Sequence, residues 1–514
     1  MVEKLGFVQG AFILTIANLI SRVLGFIFRI ILSNKIGPEG MGVYQLVMPV
    51  YMTALSITTG GISVTVSRLV AKSASRGSND YTRRIIQLSM TLIIAISAVI
   101  SGLILICSKY ISIDILKDER TLMSIFIFAP ALFIISSSAV IRGYFEGIQN
   151  IKPTAAANII EEFVRIAFIL FIIDAVLPLG IEHAVAASIL SSITGEIAGF
   201  IYMSYKYRTT QSSIKVSEFV KPIANTKLML NIIGTTFPLS LNRFINTFFQ
   251  SIESVIIPQR LMVNLSKQKS LSIFGELSGM ALPIVMLPSI VVNSLSVTLV
   301  PAIAEAYDRN DLLSLQHRVS ESVSYTLIVS FATSALLLSL PNEIAVTLYH
   351  NAEVGEFLKM FSLIVPFMYL SHIMSSTLNG MGKQNLTLLI TSSASIIRML
   401  CTYYLVAKPS FMINGYFIGY YLSFILLFLL SYICVRKFFA VKIDHLFIIK
   451  TVISTLLFYI SLKFLYFINP VSNGLINLAV TISLSLLIYV VTLIYTGAIE
   501  RSELYKIFHF QRRI

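Results

Sequence analysis

The chain has 514 residues, 56% of them hydrophobic and only 12% charged, with a mean hydropathy of +0.83. Soluble domains carry about twice that charged fraction, so the composition excludes a soluble enzyme and indicates an all-α polytopic membrane protein. The net charge of +14 would suggest a nucleic-acid partner in a soluble chain; here it reads as basic loops at one membrane face, with no nucleic-acid partner.

Splitting the apolar runs at charged or Pro/Gly-rich connectors predicts about fourteen spans, each near the roughly 20 residues a bilayer needs. Their cores are 6–32, 42–67, 85–108, 121–145, 154–178, 183–205, 228–257, 274–304, 319–340, 357–380, 385–406, 411–435, 446–468 and 474–496. Lys4 before an apolar run imitates a signal peptide, but Arg22 interrupts the run and no small-residue cleavage site follows, so the segment reads as helix 1. The spans group as a six-helix repeat at 1–206, a cytoplasmic linker at 207–227, a second six-helix repeat at 228–438, and helices 13 and 14 with a tail at 439–514. Arg68, Lys72, Arg76, Arg83 and Arg84, the linker, Arg436, Lys437, Lys442 and Lys450, and the tail residues Arg501, Lys506, Arg512 and Arg513 all fall on one side. The positive-inside rule then puts both termini in the cytoplasm.

The two halves repeat. Ser63-Val64-Thr65-Val66 recurs as Ser296-Val297-Thr298-Leu299, and the same offset of 233 relates Arg76 to Arg309, Gly147 to Gly380 and Arg165 to Arg398. Ser21-Arg22 and Phe28-Arg29 match Asn242-Arg243 and Phe249-Gln250 at an offset of 221. Six helices per half give both halves the same orientation, related by an axis along the membrane normal, with a central cavity. The bundle expected is a V-shaped one that works by alternating access.

Basic residues predicted inside helices are Arg22, Arg29, Arg165, Arg243, Arg398 and Lys463. A charge at bilayer depth costs several kcal/mol and faces water, a partner or a ligand. Arg22 and Arg29 share one face of helix 1, about 10 Å apart, with Asn18 one turn before Arg22 and Gly25 leaving room between them. Arg243, Asn246, Gln250 and Glu253, beside Asn242, repeat that design on helix 7. Guanidinium forks bind phosphate or carboxylate bidentately and stay charged, so the two stripes point to an anion-binding cavity. Pairing with acids is the structural alternative, and Arg29 could snorkel to the external face.

In helix 5 the spacing of Glu161, Glu162 and Arg165 favours an ion pair with one glutamate, leaving the other as a candidate cation or proton site. Glu196 and Glu253 are the better coupling candidates, for proton, sodium or membrane potential, since one charge moved through 100 mV supplies about 2.3 kcal/mol. Cys107, Cys401 and Cys434 adjoin apolar runs without a C-x-x-C pair, which reads as buried thiols and no metal site. No P-loop, G-x-S-x-G or H-E-x-x-H motif is present, no connector is long enough for a soluble domain, and no enzyme activity or cofactor is indicated.

Ser21-Arg22-Val23-Leu24-Gly25-Phe26, Gly37-Pro38-Glu39-Gly40-Met41-Gly42-Val43-Tyr44-Gln45-Leu46 and Pro49-Val50-Tyr51 resemble the polysaccharide-biosynthesis transporters of the multidrug/oligosaccharidyl-lipid/polysaccharide (MATE-like) exporter superfamily. Gly279-Met280-Ala281-Leu282-Pro283, Leu287-Pro288 and Leu299-Val300-Pro301-Ala302-Ile303 resemble its stage V sporulation protein B branch. The resemblance implies flipping of an undecaprenyl-pyrophosphate-linked sugar, such as a lipid II-like precursor, across the bacterial cytoplasmic membrane, with membrane lipids as surroundings. It implies a head-group role for Arg22 and a lipid-tail groove at helices 13 and 14. Lipid II flippases also carry arginines in helices 2 and 8, where this chain has Tyr44, Gln45 and Asn293. The expected reading is a flippase in which Arg22, Arg243 and Arg29 bind pyrophosphate, and Asn18, Gln45, Asn242, Asn246 and Gln250 contact sugar or peptide. A cation-coupled multidrug exporter is the alternative, and a membrane glycosyltransferase or cell-wall scaffold ranks below it.

Overall fold

The computed structural model describes residues 7–74, 79–212, 225–441, 444–468 and 474–499. Arg76, Lys215, Lys221, Lys442, Arg501, Lys506, Arg512 and Arg513, which contributed to the expected orientation, lie outside them. Among the described residues the regular structure is helical throughout, in two compact units, Met1–Gly275 and Glu276–Ile514.

The first unit holds α1 (Phe7–Thr59), α2 (Ile62–Ala74), α3 (Asn79–Tyr110), α4 (Leu122–Gly147), α5 (Lys152–Val176), α6 (Ile181–Ser212), α7 (Asn225–Leu261) and α8 (Lys267–Phe274). At 1.5 Å per residue the 53 residues of α1 would run about 80 Å, far beyond a bilayer of about 30 Å. The helix breaks at Gly37 (φ 70°, ψ 179°), a conformation essentially reserved for glycine. Arg165 stacks on Phe28 and also lies in electrostatic reach of Tyr51, on either side of the break, so α1 doubles back as a hairpin with arms at 7–36 and 38–59. Gly195 and Gly199 on α6 leave room for the backbone carbonyl and side chain of Glu161, which lets α5 and α6 pack closely. Gly42 and Gly275 play the same part where α1 meets α8, opposite the carbonyls of Leu271 and Pro38.

The second unit holds α9 (Leu282–Met286), α10 (Ser289–Asp308), α11 (Leu312–Ser339), α12 (Pro341–Tyr349), α13 (Glu353–Ser362), α14 (Val365–Gly380), α15 (Gln384–Leu405), α16 (Ile413–Arg436), α17 (His445–Ile468) and α18 (Gly474–Tyr495). Asp311 caps α11 by accepting from the Ser314 amide at 3.0 Å. Arg398 lies over the rings of Tyr420 and Phe424, 5.6 and 5.8 Å from their centroids, which gives it a packing role on α16. The α17–α18 pair is tied to α11 by Tyr489, whose hydroxyl donates to the Ile328 carbonyl at 3.1 Å.

Each unit contains the same glycine contact. A β-carbon at Gly147 would fall 2.7 Å from the Ser67 carbonyl oxygen and against Val70; one at Gly380 would fall 2.9 Å from the Val300 carbonyl oxygen and against Ile303. All three positions are displaced by 233. Ten helices among the described residues are long and apolar enough to cross a membrane, or eleven if α13 and α14, bent by 53°, form one span. The count is below fourteen because α1 and α2 enter as one stretch, α5 carries Glu161, Glu162 and Arg165 at its centre, and α7 carries its polar stripe. Cys107 is exposed on α3 rather than buried as the sequence suggested, because no described residue covers it there; Cys401 and Cys434 are partly buried.

Candidate functional site

The polar residues of α1 divide at Gly25. Asn18 and Arg22 are exposed, and Arg22 makes no hydrogen bond or ion pair among the described residues. Arg29 is half-buried and lies in electrostatic reach of Glu162. Gly25 admits the Glu162 carboxylate, whose Oε2 would be 3.6 Å from a β-carbon there. Both Glu162 oxygens accept from Arg165 at 3.1 Å, and that guanidinium stacks on Phe28 at 5.5 Å. This is the expected intrahelical pair.

Glu161 is engaged differently. It accepts from Arg142 of α4, which also donates to Asn158 Oδ1, while Asn158 Nδ2 donates to Asn18 Oδ1 at 3.2 Å. Neither glutamate of helix 5 is therefore left without a partner, contrary to the expectation that one would be. A charged node links α4, α5 and α1, and its distal end is one helical turn from Arg22. Sequence reasoning missed Arg142: it falls inside the predicted span 121–145 but was left out of the basic residues counted inside helices. The signal was Arg142-Gly143-Tyr144-Phe145-Glu146: a charge pair at i and i+4, with Gly143 fitting closely against the Ser63 carbonyl and Glu146 accepting from Ser63 Oγ at 3.1 Å. Glu196 on α6 is half-buried, in electrostatic reach of Glu161, Glu162 and Tyr51, and makes no ion pair among the described residues.

On α7, Asn242, Arg243, Asn246 and Gln250 are exposed along one face, and the stripe enters the packing at Glu253, which is 8% exposed and engaged with its neighbours. Among the described residues Arg243 reaches only the Gly60 carbonyl, at 3.4 Å, and Asn246 donates back to the Asn242 carbonyl at 3.0 Å. Gln45 is half-buried on the second arm of α1. No hydrogen bond among the described residues joins Arg22 to Arg243.

The back of α7 is unlike its polar face. A cavity of about 570 Å³ lies between α1, α3 and α7, walled by residues such as Val50, Ile104, Phe248 and Ile256. A second, of about 300 Å³, continues along the same three helices past Ile96, Phe237 and Phe244; Ile57 lines both.

A further network lies at the opposite end of the unit from the Gly60 turn. Asp118 pairs with Arg120 at 2.8 Å and Lys267 at 3.4 Å; Arg120 also pairs with Glu39 at 2.7 Å, and Gln268 donates to Glu39 at 2.9 Å. Burial alone would raise the Asp118 carboxyl, but the adjoining Arg120 guanidinium and amide, with Lys267, hold it below its ordinary 3.8.

Comparison with known proteins gives concordant results. The family described as polysaccharide biosynthesis protein matches residues 7–307, and the MatE family matches residues 276–404. Stage V sporulation protein B of Bacillus subtilis (strain 168) is 28% identical over 510 residues, 98% of each chain. Lipid II flippase MurJ of the same organism is 21% identical over 420 residues, 77% of each. Among solved structures, lipid II flippase MurJ in an inward closed conformation superposes with a TM-score of 0.70 at 13% identity, covering 98% of this chain and 99% of that one. An inward-facing multidrug resistance MATE family transporter of the MOP superfamily gives 0.65 at 15%, covering 83% and 95%. The fold is thus shared with both groups, and the apolar helices make this a multi-pass membrane protein. With more than half its length matched, the chain belongs to the polysaccharide biosynthesis protein family.

Proposed function

We propose that the protein is a flippase that moves an undecaprenyl-pyrophosphate-linked cell-wall or polysaccharide precursor across the bacterial cytoplasmic membrane by alternating access. The observation that carries this reading is Arg22: an exposed guanidinium in the largely apolar first arm of α1, with no protein partner among the described residues. Such a charge at membrane depth calls for an anionic ligand or water, and a pyrophosphate matches the bidentate fork. Similarity to a relative named as a lipid II flippase supports the substrate class. Arg22, Arg243 and Arg29 hold the pyrophosphate in this reading, and Asn18, Gln45, Asn242, Asn246 and Gln250 contact the sugar or peptide. Glu196 is the leading coupling residue because Glu161, Glu162 and Glu253 are engaged by neighbours. The matching glycine contacts at Gly147 and Gly380 support two six-helix repeats, at 1–206 and 228–438; the basic residues of the connectors support a cytoplasmic linker at 207–227 and, with helices 13 and 14 following the second repeat, cytoplasmic termini.

The test compares Arg22→Ala, Arg22→Lys and wild-type protein in proteoliposomes, measuring binding and translocation of an undecaprenyl-pyrophosphate-linked sugar. Loss in the alanine variant with partial retention in the lysine variant is expected. Unchanged binding by a folded Arg22→Ala protein refutes the role of Arg22. A wild-type protein that binds organic cations but no pyrophosphate lipid would make it an exporter instead.

A further inference from the structure

A lipid carrier presents a physical problem to the reading above, on which this inference rests: its head group must cross beside polar residues while its hydrocarbon chain stays in an apolar phase. Somewhere between the helices there must be an apolar berth and a slit. On α7 the two requirements meet. The polar stripe of Arg243, Asn246 and Gln250 occupies one face, and the two apolar cavities lie on the opposite face of the same helix.

The walls are mainly apolar: Asp114 stands exposed at one end of the first cavity, Gln259 beside it donates to the Ile115 carbonyl at 2.6 Å, and Thr236 in the second donates to Thr65 at 3.0 Å. Thr53 and Ser251 hydrogen-bond each other at 2.8 Å, Ser251 also reaches the Pro49 and Thr247 carbonyls, and Thr58 donates to Ala54. From Ile233 to Gln259 the lining covers 26 steps of α7, about 39 Å of helix. One phospholipid chain reaches through about half of a hydrocarbon core of about 30 Å, so an occupant matched to this length is a longer chain. Phe237 and Phe248 are 63% and 45% exposed, leaving the groove open to the membrane along its length.

Between groove and polar face runs the seam where α7 packs on α1, and it is built from small residues. Gly60 faces Ser240, Gly61 faces the Thr236 carbonyl, and Thr53 faces Ser251. The two backbones approach closely there, and apart from Leu239, which meets Gly61, the contacts named are made by small side chains or backbone, so few bulky groups bar the way where the helices part. The Ser251 hydroxyl keeps a carbonyl partner on its own helix, Thr247, if the seam parts, so opening leaves it satisfied. Arg243 borders this seam between Ser240 and Ser251, against the Gly60 carbonyl.

We propose that the groove on the back of α7 binds the polyprenyl chain of the transported lipid, and that the seam of small residues between α1 and α7 is the slit through which that chain joins the head group. This assigns the chain to helices of the first unit rather than to α17 and α18.

Two measurements test it, with undecaprenyl pyrophosphate in proteoliposomes as the probe. A photoreactive benzophenone side chain replacing Phe248 or Phe237 should crosslink to the probe, and unlabelled undecaprenyl pyrophosphate, not phosphatidylglycerol, should compete. Crosslinking at Phe464 of α17 instead, with the probe still bound, overturns the groove and leaves the pyrophosphate reading standing. Failure of wild-type protein to bind the probe at all overturns that reading and this one with it. In a background lacking the native cysteines, an oxidised Thr53→Cys/Ser251→Cys pair should lower translocation at least about tenfold, with recovery on reduction. Undiminished translocation by the bridged protein overturns the slit.

Discussion

Replacing Arg142 with methionine separates an arginine that builds the fold from one that serves a ligand. The side chains of Arg142 and Glu161 are 21% and 10% exposed, so the substitution strands a nearly buried carboxylate and also removes the donor to Asn158. Breaking a buried ion pair costs about 3–5 kcal/mol, and the partial exposure here places the loss near 3 kcal/mol. Because most of that cost is the uncompensated Glu161 charge, adding Glu161→Gln to Arg142→Met should return more than half of it. Equilibrium unfolding in mixed micelles of the two single variants and the double variant measures the cycle. Arg22→Ala, which touches no partner among the described residues, should change stability by less than about 0.5 kcal/mol in the same assay. A loss below about 1 kcal/mol for Arg142→Met, or no recovery in the double variant, refutes the reasoning.

Gly147→Ala and Gly380→Ala should each destabilise by about 1–3 kcal/mol, because each adds a methyl against a carbonyl and a branched side chain; a large difference between them would argue against equivalent contacts. For the Asp118 network the folded carboxyl titrates below its ordinary value. Its contribution is therefore complete above about pH 4 and is lost as pH falls through the lower folded value. Hydrogen exchange around α8 should rise across that acid range in wild-type protein and show no such pH step in Asp118→Asn. Glu196→Gln should leave unfolding unchanged while flattening the pH or sodium dependence of translocation; an unchanged dependence would remove Glu196 from coupling.

Much of this is legible in the sequence alone. Length and hydropathy were enough for a helical membrane protein, and the spacing of Glu162 and Arg165 was enough for their ion pair, because both follow from local geometry. The pairing of Arg142 with Glu161 was not legible: the two are nineteen positions apart on successive helices, and a contact between helices leaves no period in one sequence. The same holds for Glu39, Arg120 and Asp118, which the sequence presents as unrelated loop charges and the fold gathers into one network. Hydropathy also says nothing about apolar surface facing other apolar surface, so the groove behind α7 could not be distinguished from ordinary lipid contact.

Gly37 has a mechanical consequence. The turn between the two arms of α1 is a single residue in a conformation only glycine adopts readily, so the connection has no slack. With no loop between them, any change in the angle between the arms must be absorbed by the φ and ψ of Gly37, so this one residue sets how Arg22 and Gln45, one on each arm, stand relative to each other.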